Sequence, residues 1–274
     1  DASHISIDSR SLQNGNNTLF FAIKGQNHDA HLYLEELIAK GVRYFVVEYI
    51  PEHLYDKANF IIVENTLVAL HKVAIAYRNK FDFPFVGITG SNGKTIVKEW
   101  LNFLLSPNHL IVRNPKSYNS QVGVPLSILG IEGNYDLGIF EAGISLPNEM
   151  LQLEQIIQPK YGILTNIGSA HDEGFTNREA KIQEKIRLFD NCSDVFLEQN
   201  QAIENLLPTA IKKHTWSFTD ANAMLFVTQK NINGSTELTF KTKENTFSIS
   251  SPFSDANAIE NIITCVNFML FLGE

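Results

Sequence analysis

Three glycines spaced by three, Gly87, Gly90 and Gly93, followed at once by Lys94 and Thr95, are the residues of this sequence whose spacing carries the most chemistry. Backbone amides in such a turn can all point inward only where side chains are absent. A helix that starts there adds the positive end of its dipole to the same spot, so the pattern suits phosphate. Lys94 is then placed to reach β and γ phosphates, and Thr95 to ligate Mg²⁺. The strict Walker spacing needs a glycine five residues before Gly93, where the chain has Ile88. The loop Gly90-Ser91-Asn92-Gly93-Lys94-Thr95 is therefore a variant. The alternative is a glycine-rich turn with a stray lysine, against which stand the apolar run from Phe85 before it and the helical pattern after it.

In open parallel sheets ligands bind outside the carboxyl ends of the strands. Two further polar residues fall there: Glu141, directly after Gly138-Ile139-Phe140, and His171, in the loop after the strand ending at Thr165. Delivered to the same rim as a magnesium nucleotide, they could complete a metal shell. Taken alone, a strand-end glutamate is more often a solvated or capping carboxylate, and a loop histidine a surface residue. Lys185 falls inside the apolar stripe Ile182, Ile186 and Phe189 of a helix expected over about 177–189. Helix geometry favours snorkelling, with a packed stem and a wet ammonium. The other reading is a desolvated amine of lowered pKa, able to take up CO₂ as a carbamate and so act as a long metal-binding carboxylate.

Placing these groups requires strands alternating with helices. Strands are expected at Phe85–Thr89, 110–112, 137–140 and 162–165, with helices at 96–105 and between, which means a parallel sheet covered on both faces. Before Pro84 a smaller α/β unit is expected, with strands at 19–23, 44–47 and 60–63 and helices over 31–40 and from Asn65-Thr66. From Ala223, strands broken by Asn231-Ile232-Asn233-Gly234 and Lys243-Glu244-Asn245 read as an antiparallel meander, followed by an apolar helix over about 258–272. The 274 residues, 44% hydrophobic and 19% charged, suit about two domains, set here at 1–82 and 83–274. A formal charge of −8 argues against a nucleic-acid partner. Two cysteines, Cys192 and Cys265, give no disulfide framework, and no apolar run approaches the length of a membrane span. A reducing cytoplasm fits best.

Five motifs stand in the order found in Mur ligases, which the chain resembles: Thr89 to Thr95, Tyr118-Asn119-Ser120-Gln121-Val122-Gly123-Val124-Pro125-Leu126, Phe140-Glu141-Ala142-Gly143, Thr165-Asn166-Ile167-Gly168-Ser169-Ala170-His171, and Glu184-Lys185-Ile186-Arg187-Leu188-Phe189. Near the start, Asp8-Ser9-Arg10, Phe20 to Gly25 and Asp29-Ala30-His31 resemble the family's UDP-holding amino-terminal domain, so the likeness covers the whole chain. The resemblance implies an ATP-dependent ligase of peptidoglycan precursor synthesis. It looks most like the members that join D-alanyl-D-alanine to UDP-N-acetylmuramoyl-tripeptide, including those fused to an alanine racemase.

That resemblance implies roles residue by residue. The amides of Gly90, Ser91, Asn92 and Gly93, with Lys94, hold the ATP phosphates. Thr95 and Glu141 hold one Mg²⁺, and His171 with carbamylated Lys185 helps hold a second. Ser9, Arg10 and Lys24 face the UDP moiety, and Asn119 lies near the substrate. Asn261 falls where the family sets an asparagine against adenine, although the usual His-Asn before it is here Asn257-Ala258. The family's third, Rossmann-like domain has no counterpart in these residues, so they are expected to bind ligands without completing turnover. The alternatives are another superfamily ligase, acting on a different UDP-muramoyl peptide or a folate, and a nucleotide-binding module that catalyses nothing.

Overall fold

A computed structural model of the chain describes residues 4–274 except 11, 13, 14, 26, 27, 169–174, 176 and 233. The chain divides into two compact units, Asp1–Lys80 and Phe81–Glu274.

The first unit is a parallel sheet with its strands in sequence order: β1 (His4–Ser6), β2 (Thr18–Phe21), β3 (Tyr44–Val47) and β4 (Asn59–Ile62). Helix α1 (Leu34–Ala39) connects β2 to β3, and α2 (Thr66–Arg78) follows β4 and packs on β2. Its core stacks Phe45 on Phe60, with Phe20 edge-on. The helix expected from residue 31 begins late. Asp29 accepts from the His31 amide at 3.0 Å and pairs with its ring Nδ1 at 2.6 Å, winding Ala30–Tyr33 into a 3-10 turn before α1. By contrast α2 starts as expected, the Asn65 side chain accepting from the Val68 amide.

The second unit contains, in chain order, β5 (Phe85–Thr89), α3 (Lys94–Leu105), β6 (Ile111–Arg113), α4 (Gly123–Leu129), β7 (Leu137–Glu141), α5 (Glu149–Ile157), β8 (Tyr161–Leu164), α6 (Arg178–Ile186), β9 (Asp194–Glu198), α7 (Gln201–Glu204), β10 (Lys212–Ser217), β11 (Leu225–Ile232), β12 (Ser235–Lys241), β13 (Thr246–Ser251) and α8 (Ala256–Leu272). One sheet runs β13-β12-β11-β10-β9-β8-β5-β7-β6. It is parallel from β6 through β11 and antiparallel across β11, β12 and β13. The meander is thus an extension of the parallel sheet, joined through Trp216↔Leu225 and Ser217↔Phe226. Strands β9 and β10, absent from the sequence expectation, form the bridge.

Every residue of β5 and of β7 is buried, as a strand covered on both faces requires. Helix α3 seats Val97, Leu101 and Leu105 on one side of the sheet at four-residue spacing, and α8 seats Ile259, Ile263 and Phe268. Gly87 belongs to β5 and not to the loop. A Cβ there would meet Leu188 Cγ at 3.2 Å, so its smallness serves packing beneath the sheet. The helix expected over 177–189 is α6 followed by a 3-10 turn at Arg187–Phe189. Among the described residues no helix is long and apolar enough to cross a membrane.

Candidate active site

The turn between β5 and α3 has the backbone the glycine spacing predicts: Gly90 sits at φ +146° and Gly93 at φ +83°. Its approach to neighbours is close. A Cβ on Gly90 would lie 2.0 Å from Thr165 Oγ1, and one on Gly93 would lie 2.2 Å from Asn261 Oδ1. The strand-end segment after β8 braces the loop. Ser91 N–H donates to the Asn166 carbonyl at 2.8 Å, Asn92 N–H to Asn166 Oδ1 at 3.0 Å, and Thr165 Oγ1 to the Asn92 carbonyl at 2.5 Å. Asn261, 3% exposed, is therefore packed against the loop itself.

Three buried or half-buried ammonium groups converge here. Lys94 Nζ donates to the Gly90 carbonyl at 2.9 Å, and Lys185 Nζ to the same carbonyl at 3.1 Å. Lys181 Nζ donates to the Gly168 carbonyl at 2.9 Å. The snorkelling alternative for Lys185 fails: the residue is 2% exposed and its ammonium points into the loop. The buried face of α6 is Lys181, Glu184, Lys185 and Ile186, and Ile182 is only partly covered, so the apolar stripe does not define it. Burial, then the fields of Lys94 and Lys181, push the Lys185 amine down to about 7. Desolvation also lowers Lys94, opposed by Glu141 and assisted by Lys181. Such a concentration of positive charge suits a polyanion.

Glu141, at the end of β7, is fully buried and accepts from Thr95 Oγ1 at 2.7 Å. Its Oε1 has no hydrogen-bond partner among the described residues. A hydroxyl and a buried carboxylate so placed are hard ligands for Mg²⁺, which takes few protein oxygens and completes its octahedron with phosphate and water. The donor set therefore fits the ion. Among the described residues no group of three or more His, Cys, Asp or Glu could hold a metal by itself. His171 lies outside the described residues.

Lys94, Lys185 and Asn119 line one cavity of about 240 Å³ together with Gly143, Ser145 and Glu149. A second, polar cavity of about 210 Å³ is lined by Asn166, Glu198 and Glu260. The sequence reading missed Lys98 and Lys181. Lys98 is fully buried and donates to the Asn114 carbonyl at 2.7 Å and to that of Lys116. Each stands four residues from a lysine already singled out, Lys94 or Lys185, and that spacing was the available signal.

In the first unit Arg10 is exposed and forks onto Asp8, Nε to Oδ1 at 3.0 Å and Nη2 to Oδ2 at 3.1 Å. Those hydrogen bonds hold the Asp8 carboxyl below its ordinary value. The Ser9 carbonyl accepts from Lys40, and Lys24 Nζ lies 3.8 Å from Asp29. His28 and Tyr33 lie within electrostatic range of the Asp8–Arg10 pair, so the turn lies near the segment that carries Asp29.

Residues 88–269 match the model of the Mur ligase middle domain. The chain belongs to the Mur ligase family. The UDP-N-acetylmuramoyl-tripeptide–D-alanyl-D-alanine ligase of Borreliella burgdorferi is 32% identical over 285 residues, covering 99% of this chain and 61% of that protein. MurF from Thermotoga maritima, crystallised with ADP, matches with TM-score 0.87 at 25% identity over 99% of this chain and 63% of its own. MurF from Acinetobacter baumannii has the same fold, with TM-score 0.88 at 23% identity over 99% of this chain and 60% of its own. The chain thus spans about three fifths of the length of the Mur ligases it matches.

Proposed function

We propose that this chain binds ATP and a UDP-linked substrate within a ligase that joins D-alanyl-D-alanine to UDP-N-acetylmuramoyl-tripeptide. The observation that carries this is the loop at Gly90–Gly93, with Lys94 and Lys185 on one carbonyl and Thr95 on the buried Glu141. The name of the Borreliella burgdorferi relative supplies the substrates.

A free carboxylate does not form an amide at neutral pH. The peptide's terminal carboxylate first attacks the γ-phosphorus of ATP, releasing ADP and forming an acyl phosphate. The amine of D-alanyl-D-alanine then attacks the acyl carbon, phosphate leaves and the nitrogen loses a proton. Phosphoryl transfer asks the protein mainly for position and charge. Loop amides and Lys94 hold the phosphates, Lys185 and Asn119 are assigned to the side of the carboxylate, and Asn261, packed against Gly93, is assigned to the adenine. Mg²⁺ held by Thr95 and Glu141 would neutralise charge on the phosphates. A second Mg²⁺ is assigned to His171 and a carbamylated Lys185, supported by an amine already lowered to about 7 by burial. Ser9, Arg10 and Lys24 are assigned to the UDP diphosphate, with residues 1–82 serving as its holder and residues 83–274 as the ATP-binding domain. Turnover belongs to the longer ligase, with its third domain, in the cytoplasm where ATP and UDP precursors meet.

Calorimetric titration with UDP-N-acetylmuramoyl-tripeptide, with UDP as competitor and folate as control, tests this. Saturable binding displaced by UDP is expected. Binding of folate instead, or of ATP alone with no UDP-competed substrate, would refute the substrate assignment.

A further inference from the structure

Lys98 is a lysine where the helix pattern calls for an apolar residue. It lies on the sheet-facing side of α3 with Val97 and Leu101, fully buried. A buried ion pair is a weak source of stability compared with well-packed apolar side chains, so its presence asks for another reason. Its ammonium is held first by backbone, donating to the carbonyls of Asn114 and Lys116. From there it stands 3.6 Å from Glu141 Oε1, the oxygen that accepts no hydrogen bond, and 3.4 Å from Glu99 Oε1.

Asn114 grips the same glutamate by its backbone. Glu141 N–H donates to Asn114 Oδ1 at 3.0 Å, and Asn114 Nδ2 donates to the Glu141 carbonyl at 3.0 Å. The segment fixed by Lys98 continues to Ser117, whose hydroxyl lies 3.4 Å from that of Thr95. Resting on the metal–nucleotide assignment above, we propose that Lys98 is a positioning residue for Glu141 and Thr95. Because carbonyls hold it independently of the carboxylate, Lys98 stays in place when Glu141 turns from the Thr95 hydroxyl to a metal. It fixes one carboxylate oxygen so that the other faces the phosphate loop, and it sets the distance between β7 and the start of α3.

The test is Lys98→Met in this chain, with two readouts: the Mn²⁺ concentration that half-saturates the ADP-bound protein, by electron paramagnetic resonance, and ADP affinity in EDTA. Residues that orient metal ligands typically cost about 10-fold or more in metal affinity when removed, and that shift is expected here with metal-free ADP affinity unchanged. An unchanged Mn²⁺ half-saturation, or an equal loss of metal-free ADP affinity, overturns the positioning role. If Lys98→Met does not fold by circular dichroism, Lys98→Arg decides. The forked guanidinium cannot put one nitrogen between both carbonyls and the carboxylate, so a several-fold rise in half-saturation is expected and no rise overturns the role. A wild-type chain whose ADP binding ignores Mn²⁺ would instead overturn the nucleotide assignment, and the role of Lys98 with it.

Discussion

Replacing Gly93 by alanine puts a methyl group where the Asn261 side chain now sits. The contact would be 2.2 Å to Oδ1, 3.0 Å to Cγ and 3.1 Å to Nδ2, all from one buried amide. Gly93 also has φ +83°, a conformation costing other residues about 1–2 kcal/mol. Overpacking typically adds about 1–3 kcal/mol, so Gly93→Ala should destabilise the second unit by about 2–5 kcal/mol. Gly133→Ala separates the two causes, since Gly133 has φ +86° with nothing within 4 Å of its would-be Cβ. It should lose only about 1–2 kcal/mol. Both tryptophans, Trp100 and Trp216, lie in the second unit, so their fluorescence during urea unfolding reports that unit alone. Removing the amide in Gly93→Ala/Asn261→Ala should recover part of the loss, with a coupling of about 0.5–3 kcal/mol between neighbours. Equal losses for Gly93→Ala and Gly133→Ala, or additive effects of Gly93→Ala and Asn261→Ala, would refute the packing of Asn261 on the loop.

Lys94→Ala should weaken ATP binding by on the order of 100-fold while leaving the unfolding midpoint unchanged or higher, because burial penalises the ammonium in the empty loop; retained affinity in a fluorescence titration would count against the cradle. Lys185 has a folded pKa of about 7 against 10.5 unfolded, so the unfolded chain binds more protons between those values and stability should rise with pH across that window, the burial penalty being complete below about 7. Urea unfolding of Lys185→Met in CO₂-free buffer should show a flatter rise from pH 7 to 10; curves parallel to wild type would refute the buried amine. Arg10→Ala should lower UDP affinity by about ten-fold without changing the melting temperature, as expected for an exposed guanidinium that meets phosphate; calorimetry with UDP giving an unaltered constant would move the diphosphate elsewhere.

The parts of the fold legible in the sequence were those where one physical rule acts alone. Phe85–Thr89 is an uninterrupted apolar run because β5 is covered on both faces, and Asn65 announces α2 because its side chain caps it. Strands β9 and β10 escaped for the opposite reason. Asp194-Val195-Phe196-Leu197-Glu198 offers three apolar residues between two acids, and Lys212-Lys213-His214-Thr215-Trp216-Ser217 offers almost none. They are strands because each pairs in parallel with its neighbour, β9 to β8 and β10 to β9, and strand preference yields to such pairing. Asp194 further accepts from the ring of His214 at 2.8 Å, a cross-strand contact between residues twenty positions apart that no local pattern carries.

At the site, the residues on the rim of the sheet and Lys185 were legible, and Lys98 and Lys181 were not. Glu141 follows from the rule that strand ends carry function, and Lys94 from its glycines. Lys98 and Lys181 were passed over because lysine is almost never fully buried unless paired, and for Lys185 helix geometry favoured snorkelling over a desolvated amine. Here their partners are main-chain carbonyls of Asn114, Gly168 and Gly90, which a sequence does not display. The consequence reaches beyond bookkeeping of contacts. Lys94 and Lys185 share one carbonyl, and each is lowered first by burial, so the folded chain holds both amines at a desolvation cost. A bound polyphosphate offsets that cost at Lys94, and part of its affinity therefore comes from the desolvation penalty already met in the folded chain, not from new contacts alone.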